Sequence, residues 1–128
     1  MEFGEIALQE NNVLNLPEGN YLALLSHSGS RGLGAAIAKH YSLLAREVCR
    51  LPREAQHFAW LDLNTEAGQE YWMSMNLAGD YARACHERIH LNLSKALGLK
   101  PLANVNNHHN FAWKEEIAPG QTAIVHRK

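Results

Sequence analysis

Ser26-His27-Ser28-Gly29-Ser30-Arg31-Gly32-Leu33-Gly34 separates two patterns of different period. Before it, residues 21–25 (Tyr-Leu-Ala-Leu-Leu) form a short apolar run of the kind expected of a strand buried on both faces. After it, Leu33, Ile37, Tyr41, Leu44 and Val48 recur at spacings of four, four, three and four, with Lys39, Arg46 and Glu47 opposite. That is an amphipathic helix continuing to about Arg50 and stopped by Pro52. A strand that breaks into a Gly/Ser turn and restarts as a helix leaves unpaired N–H groups at the positive end of the helix dipole. Such a turn can hold an anion. Glycines at 29, 32 and 34 keep Cβ atoms out of the way of a phosphate, and the guanidinium of Arg31 matches phosphate oxygens. His27, at the strand end, is placed as a metal ligand or acid/base group. A plain polar turn with one surface arginine accounts for the same residues. The stretch is neither a Walker A loop nor a G-x-G-x-x-G or G-x-S-x-G motif.

Upstream, residues 3–9 alternate loosely and read as a strand, and residues 11–20, with Pro17 and Gly19, as a loop or hairpin connection. Downstream, residues 58–61 are short and aromatic, and residues 62–65 form a turn with a helix-cap candidate. The longest pattern runs from about Glu66 to Leu97, carried by Trp72, Met75, Gly79, Ala82, Cys85/His86, Ile89 and Leu93. Gly79 costs such a helix about 1 kcal/mol relative to alanine, which points to close packing there. Gly98 and Pro101 end it, residues 101–107 read as extended, Pro119-Gly120 as a turn and residues 122–125 as a last strand. Strands and helices alternate without a regular βαβ repeat. The expected class is α+β, a mixed sheet with one long amphipathic helix.

With 128 residues, 46% hydrophobic content and net charge −1, the chain suits one soluble domain and excludes a broad basic nucleic-acid clamp. No apolar run is long enough for a membrane span and no signal peptide is visible, so a cytoplasmic protein is expected. Cys49 and Cys85 read as reduced. Both ends look cut, the chain starting inside a strand and stopping directly after one.

Eight histidines in so short a chain raise the expectation of a metal site. His86-Glu87-Arg88-Ile89-His90 matches H-E-x-x-H, in which His86 and His90 would clasp zinc and Glu87 would act as base in a metallopeptidase. The stripe through Cys85 and Ile89, however, turns Glu87 and His90 toward solvent. His108-His109-Asn110 places two histidines side by side. In an extended chain they point to opposite faces, so one at most is a ligand and the other packs. His126-Arg127-Lys128 is a basic cluster at a strand end.

Taken together, Ser-His-Ser-Gly-Ser-Arg-Gly-Leu-Gly, His-His-Asn-Phe-Ala-Trp-Lys-Glu and Val-His-Arg-Lys resemble, in order and spacing, the motifs of the RtcB family of RNA ligases. Phe3-Gly4-Glu5 looks like the tail of that family's Asn-His-Phe-x-Glu motif. The resemblance implies joining of RNA 3′-phosphate or 2′,3′-cyclic phosphate ends to 5′-hydroxyl ends with GTP and manganese, two ions in the family. It implies metal ligation by His27 and His109, and guanylate contacts from Phe3, Gly4, Glu5, His109 and Asn110. RNA-phosphate contacts would come from Ser30, Arg31, Arg127 and Lys128. The family's Asn-His pair is Met1-Glu2 here, so one ligand histidine is missing. The family's Asp and Cys ligands have no counterpart, and its nucleophilic histidine and guanine-binding lysine would lie beyond Lys128. The resemblance therefore implies a partial RtcB-like catalytic domain over 1–128, inactive by itself and needing missing segments or an oligomer partner. A non-catalytic phosphate- or RNA-binding module is the other alternative to the peptidase.

Overall fold

A computed structural model describes residues 1–127. Four strands and two long helices follow one another as β1 (Glu2–Leu8), β2 (Gly19–Leu25), α1 (Leu33–Val48), α2 (Glu66–Leu97), β3 (Phe111–Ala118) and β4 (Gln121–Arg127). A six-residue 3-10 helix, Arg53–Phe58, lies between the two helices. The α+β class stands, but the strands do not form one mixed sheet. They make two separate antiparallel hairpins, β1 with β2 and β3 with β4. Each strand pairs with its neighbour across a short connection, and the helices link the two hairpins instead of crossing over between strands of one sheet. The turn of the second hairpin is the expected Pro119-Gly120, with Gly120 at φ +74°.

The long helix is built as its sequence dictates. The hydroxyl of Thr65 caps its start by accepting the Gly68 N–H at 3.2 Å. Gly98, in the left-handed region at φ +66°, ends it, and the Leu99 N–H reaches back to the Ser94 carbonyl at 2.8 Å. Removing the cap in Thr65→Ala is expected to cost about 1 kcal/mol. A urea melt followed by circular dichroism reads this as a lower midpoint, and an unchanged midpoint would mean the cap contributes nothing. α1 ends at Val48, two residues before the expected Arg50, because Cys49 turns extended. Its thiol then donates to the Trp60 carbonyl at 3.0 Å.

α1 packs on α2 through Ile37, Tyr41, Leu44 and the buried Ala45, with the Tyr41 and Tyr71 rings 5.1 Å apart. The expected α2 stripe from Trp72 to Leu93 is its covered face, with Ala78, Gly79 and Ala82 buried. β2 is not buried on both faces. Leu22 and Leu25, three residues apart and so on opposite faces of the strand, are 72% and 68% exposed, because neither face of the hairpin is fully covered by a second layer. The hydrophobic core consists only of Ala45, Ala78, Ala82 and Ala112 among the described residues. The chain exposes 10098 Å², whereas a folded monomer of 14.4 kDa scales to about 6,800 Å². No helix among the described residues is long and apolar enough to cross a membrane.

Candidate active site

A cavity of about 600 Å³ opens between the Gly/Ser turn, the start of α1, the middle of α2 and the segment leading into β3. Five of the eight histidines line it: His27, His86, His108, His109 and His126. No aspartate or glutamate does. The histidine surplus of the sequence is thus concentrated at one place, with donors and acceptors but no fixed negative charge around it.

His27 and His109, 82 positions apart, meet across this cavity with their Nε2 atoms 2.9 Å apart and ring centroids 4.7 Å apart. At that distance one ring donates the single shared proton to the other. His108, which lines the same cavity, stacks on Phe111 at 5.1 Å and does not join the pair. Asn110 follows at φ +54°, a left-handed conformation that asparagine tolerates, and so turns the chain from the histidine pair into β3.

The turn into α1 uses two successive left-handed residues, Arg31 at φ +53° and Gly32 at φ +90°. Ser30 spans it. Its carbonyl accepts the Leu33 N–H at 3.1 Å and its hydroxyl accepts the Gly34 N–H at 2.8 Å. One of the amides expected to face an anion is therefore already held, while the Ser30 hydroxyl proton stays available. Ser30, Gly34 and Ala35 line the cavity and Arg31 does not. The Arg31 side chain is exposed toward α2. There the Tyr81 hydroxyl is pushed to a higher pKa, mainly by its hydrogen bond with Cys85 and then by the Cys85 charge, and the Arg31 guanidinium opposes that rise.

Phe3, Gly4 and Glu5 lie on β1, paired with Leu24, Ala23 and Leu22, all three exposed and none lining the cavity. β4 runs to Arg127, but the Arg127 side chain and Lys128 are outside the described part. The H-E-x-x-H residues are dispersed. His90 is half-buried, not turned to solvent, and its Nε2 lies 2.6 Å from Ser26 Oγ. One helical turn earlier, the Nδ1 of His86 faces Asn106 Oδ1 at 3.4 Å, and Glu87 is exposed. His90 is covered, against that expectation, because Ser26, at the start of the Gly/Ser turn that follows β2, lies against it. Among the described residues no three His, Cys, Asp or Glu side chains converge to hold a metal ion.

The sequence pattern pointed to neither Ser28 nor His86 as a cavity residue. His86 did carry a signal, because it falls on the same helical face as Gly79 and Ala82, where a polar side chain must find a partner.

A family model described as tRNA-splicing ligase RtcB matches residues 3–128. No curated protein and no solved structure matches the chain.

Proposed function

Since the chain belongs to the RtcB family of tRNA-splicing ligases, we propose that it carries part of an RNA-joining centre that uses GTP and manganese and acts on RNA 3′-phosphate and 5′-hydroxyl ends. The observation that supports this reading best is the contact between His27 and His109, which brings their Nε2 atoms to 2.9 Å. Two converging imidazole nitrogens fit a divalent transition-metal ion as two of its donors. Manganese bound there would polarise phosphoryl oxygens and draw charge from a transferring phosphoryl group.

The chain's own residues would do the rest by position. To face the ion with both Nε2 lone pairs, the ring that donates in the pair would shift its proton from Nε2 to Nδ1. The hydroxyl of Ser30 donates to a phosphate oxygen while its lone pair keeps the Gly34 amide, and Arg31, next to it, adds charge from outside the cavity. Asn110 and the exposed Phe3, Gly4 and Glu5 on β1 would contact the guanylate, His109 serving both metal and nucleotide. Arg127 and Lys128 would extend the phosphate contacts.

Manganese calorimetry on the purified chain tests the reading. Wild type binds, His27→Ala and His109→Ala each weaken binding at least about tenfold, and His86→Ala leaves it unchanged. Equal affinity in wild type and both ligand variants would sink the proposal.

A further inference from the structure

α2 carries a second apolar stripe, on the side opposite the cavity. Met73, Leu77 and Tyr81 recur at four-residue steps and are 60%, 66% and 45% exposed. Eleven residues to either side of Leu77 stand Glu66 and Arg88, both exposed. An α-helix turns about 100° per residue, so all five lie within about 40° of the direction of Leu77. Gly79 and His86, which line the cavity, fall on the opposite side of the helix. The stripe is therefore a separate feature of α2, and no element among the described residues covers it.

We propose that this face of α2 docks against the same face of a second copy of the chain, the two helices antiparallel with Leu77 on the two-fold axis. The order of residues along the stripe selects a second copy. A two-fold contact has to be self-complementary, and each residue here meets its complement when the helix is reversed about Leu77. Met73 then faces Tyr81 of the other copy, twice, thioether against ring. Glu66 faces Arg88, also twice, and Glu70, one turn further on, brings a second carboxylate toward the same arginine. Parallel helices would set Glu66 against Glu66 and Arg88 against Arg88, so charge fixes the antiparallel sense. The available area fits as well. The chain exposes about 3,300 Å² more than a compact monomer of its mass, and one partner in a standard interface gives up only about 800 Å². The inference stands apart from the RNA-joining reading, because none of these residues lines the cavity.

Sedimentation equilibrium of the whole chain, over a series of micromolar concentrations, reads the association. Wild type is expected to move from 14.4 kDa toward twice that mass as concentration rises. Leu77→Glu puts two carboxylates on the axis and should weaken the dimer about a hundredfold or more. Arg88→Glu should weaken it about fivefold, and adding Glu66→Arg to that variant should bring affinity back to within about twofold of wild type. Leu22→Glu, on the exposed hairpin, should leave association unchanged. A wild-type chain that keeps the mass of one copy throughout would overturn the proposal and leave the stripe to another partner. So would a dimer that survives Leu77→Glu, or one lost in Leu22→Glu instead. Failure of the charge swap to restore affinity would overturn the antiparallel pairing. The wild-type mass needs no substitution, so a variant that fails to fold does not remove the test.

Discussion

Gly68→Ala is expected to unfold most of the chain under conditions where the wild type is folded. In an open helix this change stabilises by about 1 kcal/mol. Here a Cβ at position 68 would meet the Asp62 carbonyl group, with its carbon only 2.6 Å away, and the Leu63 Cα at 2.9 Å. That carbonyl cannot retreat cheaply. It accepts the Thr65 N–H at 3.0 Å and the Thr65 hydroxyl at 2.6 Å, and Asp62 Oδ1 holds the Asn64 N–H and side-chain amide at 2.8 and 2.9 Å. The Gln69 amide donates to the Leu63 carbonyl one residue on. Displacing a turn tied at so many points costs about 3 kcal/mol or more, which outweighs the helix gain. Urea melts by circular dichroism read the difference. A midpoint equal to or above wild type would show that the turn yields. Ala84→Gly, on an exposed part of the same helix, is the control and should cost only about 1 kcal/mol.

A loss of that size is decisive because the chain has little stability to lose. Domains hold about 5–15 kcal/mol, and this one keeps no large side chain fully buried among the described residues. Phe58, Trp60, Leu22, Leu25 and Val13 are all exposed, and the accessible area is about one and a half times that of a compact monomer of the same mass. What holds the fold is local: capped helices, hairpin ladders and the alanine-lined contact of α1 with α2. The hydrophobic term, usually the largest, is weak.

The same contrast explains what could be read from the sequence. α2 was legible to the residue, because Thr65, Gly98 and a stripe about six turns long repeat one message at every level. The six-residue turn Arg53–Phe58 was not, since it is too short to show a period. The split into two hairpins was hidden as well. Strand residues record which positions are apolar but not which strand lies alongside, and here β2 carries exposed leucines on both faces that read as core. In the site, His27 and the His108-His109 pair each stood out singly by type and position. Their meeting across 82 residues is a product of tertiary packing, and only the resemblance of the combined motifs anticipated it. His86 was read in two ways, as half of the H-E-x-x-H pair and as part of the covered stripe, and the second reading stands. The stripe assigned His86 to the covered face, and its free nitrogen ended in the cavity.

Gly79 joins the fold to the site, and Gly79→Leu is expected to abolish the histidine pair while sparing the helices. A Cβ at this position would stand 2.8 Å from Phe111 Cε2 and 2.9 Å from Cζ. The Phe111 ring has no easy escape, being stacked against His108 at 5.1 Å on one side and edge-on to Trp113 at 5.2 Å on the other. A leucine must therefore lift the start of β3 off α2, and His109 stands only two residues before Phe111. The pair tolerates no such movement, since a displacement of 1 Å already breaks a 2.9 Å contact. Manganese affinity should fall at least tenfold, as in His109→Ala, with far-UV helicity within experimental error of wild type. Gly79→Ala, with a helix gain of about 1 kcal/mol against an overpacking cost of about 1–3 kcal/mol, should fall between the two. Pairing Gly79→Leu with Phe111→Ala makes room for the leucine, so the cycle should show a coupling of about 1 kcal/mol or more in manganese binding. Additive losses would mean that the hairpin is held elsewhere and that Phe111 against Gly79 does not position His109.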